Sequence, residues 1–355
     1  MTAASARRRW ITLCAARTGR AQTQRSAAYL VRHREENMRI VFAGSGTFGL
    51  PTLRALTEGG QEVGLIATQP DRPAGRGQEV RIGQIKWFAR ERNIPLVQAE
   101  NINAAAAVRR IRAAQPDLLL VIAYGQKIGP ELLGLPRYGA INLHASLLPK
   151  FRGAAPINWA IITGEIETGL SVIAMAEQMD AGDILGQRAT PIEPNETAGE
   201  LAERLSRLGA RLVTEVVREI PLDEVERRRQ NENQATLAPR LKKSDGLIDW
   251  NQPAQEVFNR IRGTTPWPGA FTYLPGGGRK PALRLVIEKA AILPPGTKVE
   301  PGTVLAAGPE GIDVAAARGA VRILELTPAG KRTMSAAAFV NGHQLRSGAR
   351  LVANE

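Results

Sequence analysis

Two short polar clusters in the sequence carry side chains that could do chemistry. Asn142 and His144 stand two residues apart in AINLHASLLPKFRGAAP, so on a strand both project from the same face. Asp180 and Asp183 bracket a short turn in EQMDAGDIL. Acyl transfer to an amine needs an orienting group, a donor to a developing oxyanion and a group that handles the proton. Together the two clusters predict a candidate acyl-transfer site.

Both clusters also have simpler interpretations. A histidine on a strand can be a buried side chain satisfied by a backbone carbonyl, and two acids in a turn are usually only a turn. A metal site would use His144, Asp180 and Asp183, but no H-E-x-x-H motif or second histidine supports it. We therefore expect no metal.

The elements that must position these residues follow from alternating patterns. From Met38 onward, strand-like runs such as RIVFAG, EVGLIAT and DLLLVIAYG alternate with helix-like segments such as PTLRAL and IGQIKWFARER. This alternation predicts βαβ units and a parallel sheet. Asn142 and His144 follow a late strand, and open α/β sheets bind ligands beyond the carboxyl ends of their strands. Further on, Thr197 is the predicted N-cap of a long helix.

The composition of the chain changes twice after this helix. DEVERRRQNENQATLAPRLKKSDG is polar and highly charged, which is typical of an interdomain linker. Beyond it, short strand-like runs are separated by Gly and Pro, which predicts a small all-β barrel or sandwich. We therefore expect an α/β domain over 38–225, a basic linker over 226–245 and a β domain over 246–355.

The bulk composition excludes several classes of protein. Of 355 residues, 43% are hydrophobic and 23% are charged, as in a globular domain, and no apolar run approaches the length of a membrane span. Cys14 is the only cysteine, so disulfides, thiolate catalysis and cysteine zinc sites are excluded from the rest of the chain. The net charge is +13 for the whole chain and +7 after residue 37, and this remaining positive charge favours an acidic partner such as nucleic acid.

Residues 1–37 are rich in Ala and Arg, poor in acids and without the apolar core of a secretory signal. They are similar in composition to a transit peptide, but Met38 stands directly before the first strand and could be the start of the protein. We therefore expect a basic extension that is disordered or not translated, and a cytoplasmic, bacterial protein. Organellar import through 1–37 is the alternative. We expect a monomer because no exposed apolar seam is evident.

A G-x-G-x-x-G pattern near the start raises the question of a nicotinamide cofactor. Gly44, Gly46 and Gly49 lie between a strand-like run and a helix-like segment. A dinucleotide site also needs an acid at the end of the second strand, and that strand ends in Thr68 and Gln69. The pattern favours a structural turn and leaves a dinucleotide site open.

At INLHASLLPKFRGAAPI and MDAGDIL the sequence closely resembles the folate-dependent formyltransferases. The resemblance identifies Asn142, His144 and Asp180 with the catalytic trio of that family. It extends from about Met38 to Leu351 and is strongest to the members that act on tRNA, through TQPDRPAGRG, APRLKKSDGLIDW, TPWPGAF and LTPAGKRTMSAAAF. It implies a Rossmann-like formyltransferase domain, a basic linker, an OB-like β-barrel that binds tRNA, and no NAD.

The resemblance also implies substrates and binding residues. The donor is 10-formyltetrahydrofolate and the acceptor is the α-amino group of methionyl-initiator tRNA; the alternative acceptor is an amino-sugar nucleotide. Folate is expected at two loops and a turn, namely Ala123, Tyr124, Gly125, Gln126, Ser146, Leu147, Leu148, Pro149, Gly182 and Asp183. Phosphates of the tRNA are expected at Arg72, Arg76, Arg81, Arg240, Lys242 and Lys243. The PAGRGQEV loop lacks the lysines common in relatives, which Arg81 or Lys86 would replace in part.

Overall fold

The computed structural model describes most of the chain after the N-terminal extension. The described residues are 38–71, 73–74, 79–80, 82–276, 281–294 and 299–353. The predicted extension over 1–37 and the predicted tRNA contacts Arg72, Arg76 and Arg81 lie outside them.

The first half of the chain folds into a seven-stranded sheet with helices on both faces. Its strands, with a separate two-stranded pair formed by β3 and β4, are β1 Arg39–Gly44, β2 Glu62–Thr68, β3 Pro73–Ala74, β4 Glu79–Val80, β5 Leu96–Gln98, β6 Leu118–Ile122, β7 Ala140–His144, β8 Glu167–Ala174 and β9 Ile184–Pro191. Its helices are α1 Leu50–Glu58, α2 Gln84–Glu91, α3 Ala105–Ala113, α4 Pro130–Leu133, α5 Pro156–Ile162 and α6 Ala198–Glu219.

The sheet order is β5-β2-β1-β6-β7-β8-β9. The strands from β5 to β7 pair in parallel, and β8 and β9 are added antiparallel. The predicted Rossmann-like parallel sheet is therefore confirmed. The predicted cap is confirmed as well, since the Thr197 hydroxyl accepts a hydrogen bond from the backbone nitrogen of Glu200 and completes a capping box at the start of α6.

Strand β1 shows why this sequence forms a central strand. Ile40 and Phe42 pack into the core on one face of the sheet, and Val41 and Ala43 pack into the core on the other. A strand that is buried on both faces needs a continuous apolar run, which is what RIVFAG supplies. The carboxyl ends of the strands are thereby held rigidly at one edge, where the polar residues lie.

The glycine pattern forms the turn from β1 into α1. A Cβ atom on Gly44 would stand 2.5 Å from the ring of Phe42, so the backbone approaches the core too closely for a larger residue. Gly46 has a φ of +70°, in the left-handed region that glycine adopts at little cost. Local packing accounts for both glycines.

The second half of the chain contains an antiparallel sheet and two helices. The elements are α7 Ala254–Thr264, β10 Ala270–Leu274, β11 Leu283–Leu293, β12 Val304–Gly308, β13 Gly311–Ala315, β14 Ala320–Pro328, β15 Met334–Ser335 and α8 Ala336–His343. The sheet order is β10-β11-β14-β13-β12, with β15 paired to β14. The all-β expectation missed α7, where Val257, Phe258 and Ile261 form a buried helical stripe.

The two edge strands of this sheet share one partner near the end of the chain. Tyr273 of β10 exchanges both backbone hydrogen bonds with Val352, each at 2.9 Å. The nitrogen of Val304, in β12, donates to the carbonyl of Ala349 at 2.8 Å. Residues 349–352 therefore contact both edges of the sheet.

The two halves of the chain pack directly on each other. The Asn158 carboxamide in α5 donates to the carbonyl of Gly263 in α7 at 2.8 Å. A Cβ atom on Gly263 would stand 2.6 Å from the side chain of Ile162, so the two helices approach closely at this point. No helix in the described ranges has the length and apolar character needed to cross a membrane.

Candidate functional site

Asn142 and His144 lie on β7 at the carboxyl edge of the parallel strands. Asn142 pairs with Val121 of β6 and Ile173 of β8, so it stands at the centre of the sheet. His144 is 5% exposed, whereas Asn142 is half-buried. The Asn142 carboxamide makes no hydrogen bond with any residue that the structure describes, so its amide hydrogens are available to a ligand.

The structure brings the two predicted clusters together at His144. Its Nε2 donates to the carbonyl of Phe151 at 2.8 Å, since a carbonyl oxygen can only accept. Its Nδ1 faces Oδ2 of Asp180 at 3.6 Å, beyond hydrogen-bond length. The same carboxylate oxygen accepts from the backbone nitrogen of Gly153 at 2.9 Å. The imidazole is therefore oriented by the loop that follows it and lies beside a carboxylate.

Asp180 occupies a tight turn between β8 and β9. Its φ is +54°, in the left-handed region that Asp tolerates better than most residues. A Cβ atom on Gly182 would lie 1.7 Å from the carbonyl oxygen of Ala174, so only glycine fits. Asp183 is half-buried, and its backbone carbonyl accepts from the nitrogen of Ala174 at 2.9 Å. The turn therefore places Asp180 opposite His144 and directs Asp183 into strand pairing.

The SLLP loop after β7 is held by its own hydroxyl groups. Ser146 is fully buried, and its Oγ donates to the carbonyl of Lys150 at 2.6 Å. Ser171 Oγ donates to the carbonyl of Ser146 at 2.7 Å and accepts from the nitrogen of Leu148 at 3.1 Å. Leu148 is buried as well. Ser146 and Leu148 thus shape the loop, and their side chains do not face solvent.

Two cavities flank this region. A cavity of about 530 Å³ is lined by Leu147 and Pro149 of the loop together with Thr168 of β8. A larger groove of about 1030 Å³ runs between the two halves of the chain, past Phe48 and Trp267, and contains none of the predicted site residues. Size alone therefore does not identify the reaction site.

The segment 123–126 after β6 offers backbone and not side chains. Tyr124 is 2% exposed, its hydroxyl has no partner among the described residues, and burial raises its pKa to about 12. Gln126 accepts from the backbone nitrogen of Ile102 at 2.7 Å. Ala123 and Gly125 are exposed and have positive φ angles. What this segment presents to a ligand is the peptide groups of Ala123 and Gly125.

The sequence analysis missed a set of polar contacts from the predicted linker. Residues 228–238, which we call the strap, lie against the loops that carry the site. Arg152, 6% exposed, forms a bidentate ion pair with Glu232 at 2.8 Å and also donates to Gln230. This hydrogen-bonded pairing raises the pKa of the Arg152 guanidinium and lowers the pKa of the Glu232 carboxyl. No local pattern marks these contacts, because the pairing of Arg152 with Glu232 spans 80 residues of chain.

The predicted basic residues stand just beyond the strap. Arg240, Lys242 and Lys243 are exposed and make no ion pair with any described residue. Lys86, by contrast, is ion-paired with Asp71 in a half-buried contact, and this contact lowers the pKa of the Asp71 carboxyl. Lys86 is therefore not a free cation that could replace the missing loop lysines.

No cluster of metal ligands accompanies these residues. In the part of the chain that the structure describes, no three His, Cys, Asp or Glu side chains are grouped as a metal ion would require. What the site offers is a free carboxamide, an oriented imidazole and a carboxylate.

Comparisons with known proteins identify the family of the chain. A family model described as formyl transferase matches residues 38–217, and one described as formyl transferase, C-terminal domain, matches residues 240–344. The methionyl-tRNA formyltransferase of Geobacter sulfurreducens is 43% identical over 314 residues, which cover 88% of this chain and 96% of that protein. That of Moorella thermoacetica is 40% identical over 311 residues, 88% of this chain and 98% of that protein.

Solved structures share the fold at lower identity. The methionyl-tRNA formyltransferase of Clostridium thermocellum is 18% identical with a TM-score of 0.51, over 72% of this chain and 94% of that one. A sugar 3N-formyl transferase, WlaRD, is 17% identical with a TM-score of 0.59, over 84% and 100%. HypX from Aquifex aeolicus, in complex with tetrahydrofolic acid, is 19% identical with a TM-score of 0.55, over 86% and 47%. With both domain models matched and identities of 40–43% over most of its length, the chain belongs to the methionyl-tRNA formyltransferase family.

Proposed function

We propose that the protein transfers the formyl group of 10-formyltetrahydrofolate to the α-amino group of methionyl-initiator tRNA, which gives formylmethionyl-tRNA for translation initiation. The observation that carries this proposal is the meeting of Asn142, His144 and Asp180 at the carboxyl edge of the sheet. The family membership supports the acceptor, because the relatives with 40–43% identity are methionyl-tRNA formyltransferases.

The chemistry requires a nucleophilic amine and hydrogen-bond donors that stabilise the negative charge on the formyl oxygen. The neutral amine nitrogen bonds to the formyl carbon, and the bond from that carbon to the donor nitrogen breaks. The attacking nitrogen loses one proton, and the released donor nitrogen gains one. The free carboxamide of Asn142 donates to the formyl oxygen, and His144 stabilises the negative charge that develops on it. Asp180 faces Nδ1 of His144 and takes the proton of the amine, directly or through water.

The residues present fit the planar, hydrogen-bonding edge of a pterin. The peptide groups of Ala123 and Gly125 are exposed and make no hydrogen bond to another described backbone group. In the MDAGD turn, the backbone nitrogens of Gly182 and Asp183 also have no described partner. Such backbone groups can match a ring edge without any charged residue. We therefore propose that folate binds between segment 123–126, the SLLP loop and the MDAGD turn.

The tRNA is proposed to bind along the basic residues. Arg240, Lys242 and Lys243 are exposed and without described ion pairs, as phosphate contacts must be. Arg72, Arg76 and Arg81 are proposed as further contacts on the sequence resemblance alone. The domain limits 38–225, 226–245 and 246–355 are part of the same proposal, with the last domain binding tRNA.

The C-terminal sheet is proposed to be an OB-like barrel. Support comes from residues 349–352, which hydrogen-bond to β10 at one edge of the sheet and to β12 at the other. A segment that contacts both edges covers the unpaired backbone groups that an open sheet leaves exposed. We also propose that the protein is monomeric and lies in the cytoplasm. A bacterial source is supported by the relatives described above, which come from bacteria.

A parallel assay of three acceptors tests the proposal. Formyl transfer from 10-formyltetrahydrofolate is measured to methionine-charged initiator tRNA, methionine-charged elongator tRNA and an amino-sugar nucleotide. Transfer to the initiator tRNA alone is the expected result. Transfer to the sugar alone would keep the catalytic trio and overturn the acceptor, and no transfer at all would overturn the catalytic assignment.

A further inference from the structure

The strap joins the two loops that carry the catalytic residues. At one end, Arg228 and Ile184 exchange both backbone hydrogen bonds, at 2.8 and 2.9 Å. At the other end, the nitrogen of Arg152 donates to the carbonyl of Thr236 at 2.8 Å, and the nitrogen of Ala238 donates to the carbonyl of Arg152 at 2.7 Å. The strap therefore ties the strand that follows Asp180 to the loop that follows His144.

Gln230 holds the turn of Asp180. Its Nε2 donates to the carbonyl oxygens of Asp180 and Gly182, each at 2.7 Å. Its Oε1 accepts from Nε and Nη2 of Arg152, at 3.1 and 2.7 Å. Because Arg152 can only donate and the two carbonyls can only accept, these partners decide which way the amide faces. Gln230 is 6% exposed, so water does not replace the missing donor if the amide is removed.

Thr236 holds the loop that orients His144. Its Oγ1 accepts from the backbone nitrogen of Phe151 at 2.8 Å, and the carbonyl of Phe151 accepts from Nε2 of His144 at 2.8 Å. Phe151 has a φ of +62°, which bulky residues rarely adopt, so its conformation depends on such external contacts. The hydroxyl of Thr236 therefore acts on the imidazole through the backbone of one residue, Phe151.

We propose that Gln230 and Thr236 are positioning residues for formyl transfer. Gln230 sets the carboxylate of Asp180, and Thr236 sets the imidazole of His144 through Phe151. The proposal rests on the proposed function for its reaction, but the contacts themselves do not depend on which acceptor is used. Neither side chain is placed against a substrate, so their removal acts through the alignment of the groups that they hold. Gln230 also holds the carbonyl of Gly182, in the turn proposed for folate. Misplacing a reacting group by about 1 Å costs about 10²-fold in rate.

The isosteric change Gln230→Glu separates alignment from packing. Glutamate keeps the size of the side chain and still accepts from Arg152, but it cannot donate to the carbonyls of Asp180 and Gly182. We expect kcat to fall by about 10²-fold, with KM for the amine acceptor unchanged. The matched control is Asn233→Ala, an exposed strap residue whose side chain makes no described hydrogen bond, and it keeps the wild-type kcat. Wild-type kcat in Gln230→Glu would overturn the role of Gln230.

The variants Thr236→Val and Thr236→Ser test the role of Thr236. They also test the proposal if Gln230→Glu does not fold. Valine removes the hydroxyl that accepts from Phe151, whereas serine restores it. We expect kcat to fall with valine and to recover with serine. An unchanged kcat in Thr236→Val, or no recovery with serine, would contradict the proposal.

A spectroscopic measurement on the full chain does not depend on the acceptor. The chain contains three histidines, so the ring ¹⁵N signals of His144 can be assigned with single-histidine variants. We expect the Nε2 signal to move in Thr236→Val and to stay at its wild-type position in Thr236→Ser and Asn233→Ala. An unchanged Nε2 signal in Thr236→Val would overturn the proposal that Thr236 positions His144 through Phe151. If the wild-type protein formylates only the sugar acceptor, the proposed function falls, and the same variants are then assayed with that acceptor.

Discussion

In one region of the molecule His144, Arg152 and Gln230 are buried and hydrogen-bonded. In another, a few residues after the strap, Arg240, Lys242 and Lys243 stand in solvent. The first region costs free energy to assemble, because each buried polar group must find a partner. In return its groups are already oriented when charge develops on a reacting carbonyl. The second region has no fixed partners, which suits contacts to a long phosphate backbone. Rigid placement and free charge therefore occupy adjacent segments of one chain.

The largest effect expected from this comparison is on turnover. Asn142→Ala removes a donor to the developing oxyanion and His144→Ala removes the imidazole that stabilises its charge, so we expect each to lose about 10²- to 10³-fold in kcat with folate binding retained. Single-turnover formylation and equilibrium binding of the folate donor measure the two quantities. His343→Ala is the matched control, because His343 only stacks on Phe339 in α8, with ring centroids 4.2 Å apart. Unchanged turnover in either site variant would end the catalytic assignment.

A smaller effect is expected on the free energy of unfolding when a buried side chain is changed. Arg152→Met keeps the length of the side chain but leaves the Gln230 oxygen without its donors, so we expect the free energy of unfolding to fall by about 1–3 kcal/mol. Urea denaturation measures the change. Arg188→Met is the control, since Arg188 forms an exposed ion pair with Glu215 that is worth about 0–1 kcal/mol. Equal losses of unfolding free energy in the two variants would show that the buried contacts of Arg152 stabilise the fold no more than an exposed ion pair does.

For the exposed linker cations we expect a change in the affinity for tRNA and in its dependence on salt. Replacing Arg240, Lys242 and Lys243 by Ala removes cations from the proposed tRNA path. Affinity should weaken, and the slope of log affinity against log salt should flatten by about 0.7–0.9 for each phosphate that the protein no longer neutralises. Filter binding of methionyl-initiator tRNA over a salt series measures both.

The matched control for charge is a triple replacement in α3. Arg109, Arg110 and Arg112 are exposed and lie in the C-terminal half of this helix, before β6 begins at Leu118, so they stand at the opposite edge of the sheet from the site. This triple variant should keep the wild-type slope. Identical slopes for the two triple variants would show that the three linker cations do not contact the tRNA.

The smallest expected effect is the acid response of the strap. The Arg152 guanidinium lowers the pKa of the Glu232 carboxyl, so Glu232 stabilises the fold above the ordinary carboxyl pKa. This contribution is lost as the pH falls through the lowered pKa of the folded state. Glu232→Gln should therefore be less stable than wild type at neutral pH, and the difference should vanish in acid. Thermal unfolding over a pH series measures it, with the exposed Glu226→Gln as control; a difference that persists in acid would contradict the ion-pair origin.

Much of the fold and of the trio could be predicted because the signals are local. The apolar run of β1, the Thr197 cap and the glycines of the first turn act on neighbours within a few residues. The spacing of two predicted that Asn142 and His144 share one face of a strand, and both lie on β7. The helices α7 and α8 were missed because Gly- and Pro-rich neighbours dominate the pattern, although Val257, Phe258 and Ile261 do carry a helical period.

The sequence by itself determined which side chains can do chemistry and which strand carries them to the edge of a sheet. Only the tertiary structure decided that a charged linker is the strap that holds Arg152, Asp180 and the loop after His144. The physical reason is range. Periodicity and turn chemistry are set by adjacent residues, whereas the contact of Gln230 with Asp180 joins positions 50 residues apart and that of Thr236 with Phe151 joins positions 85 apart. Such contacts exist only once the sheet has placed both partners.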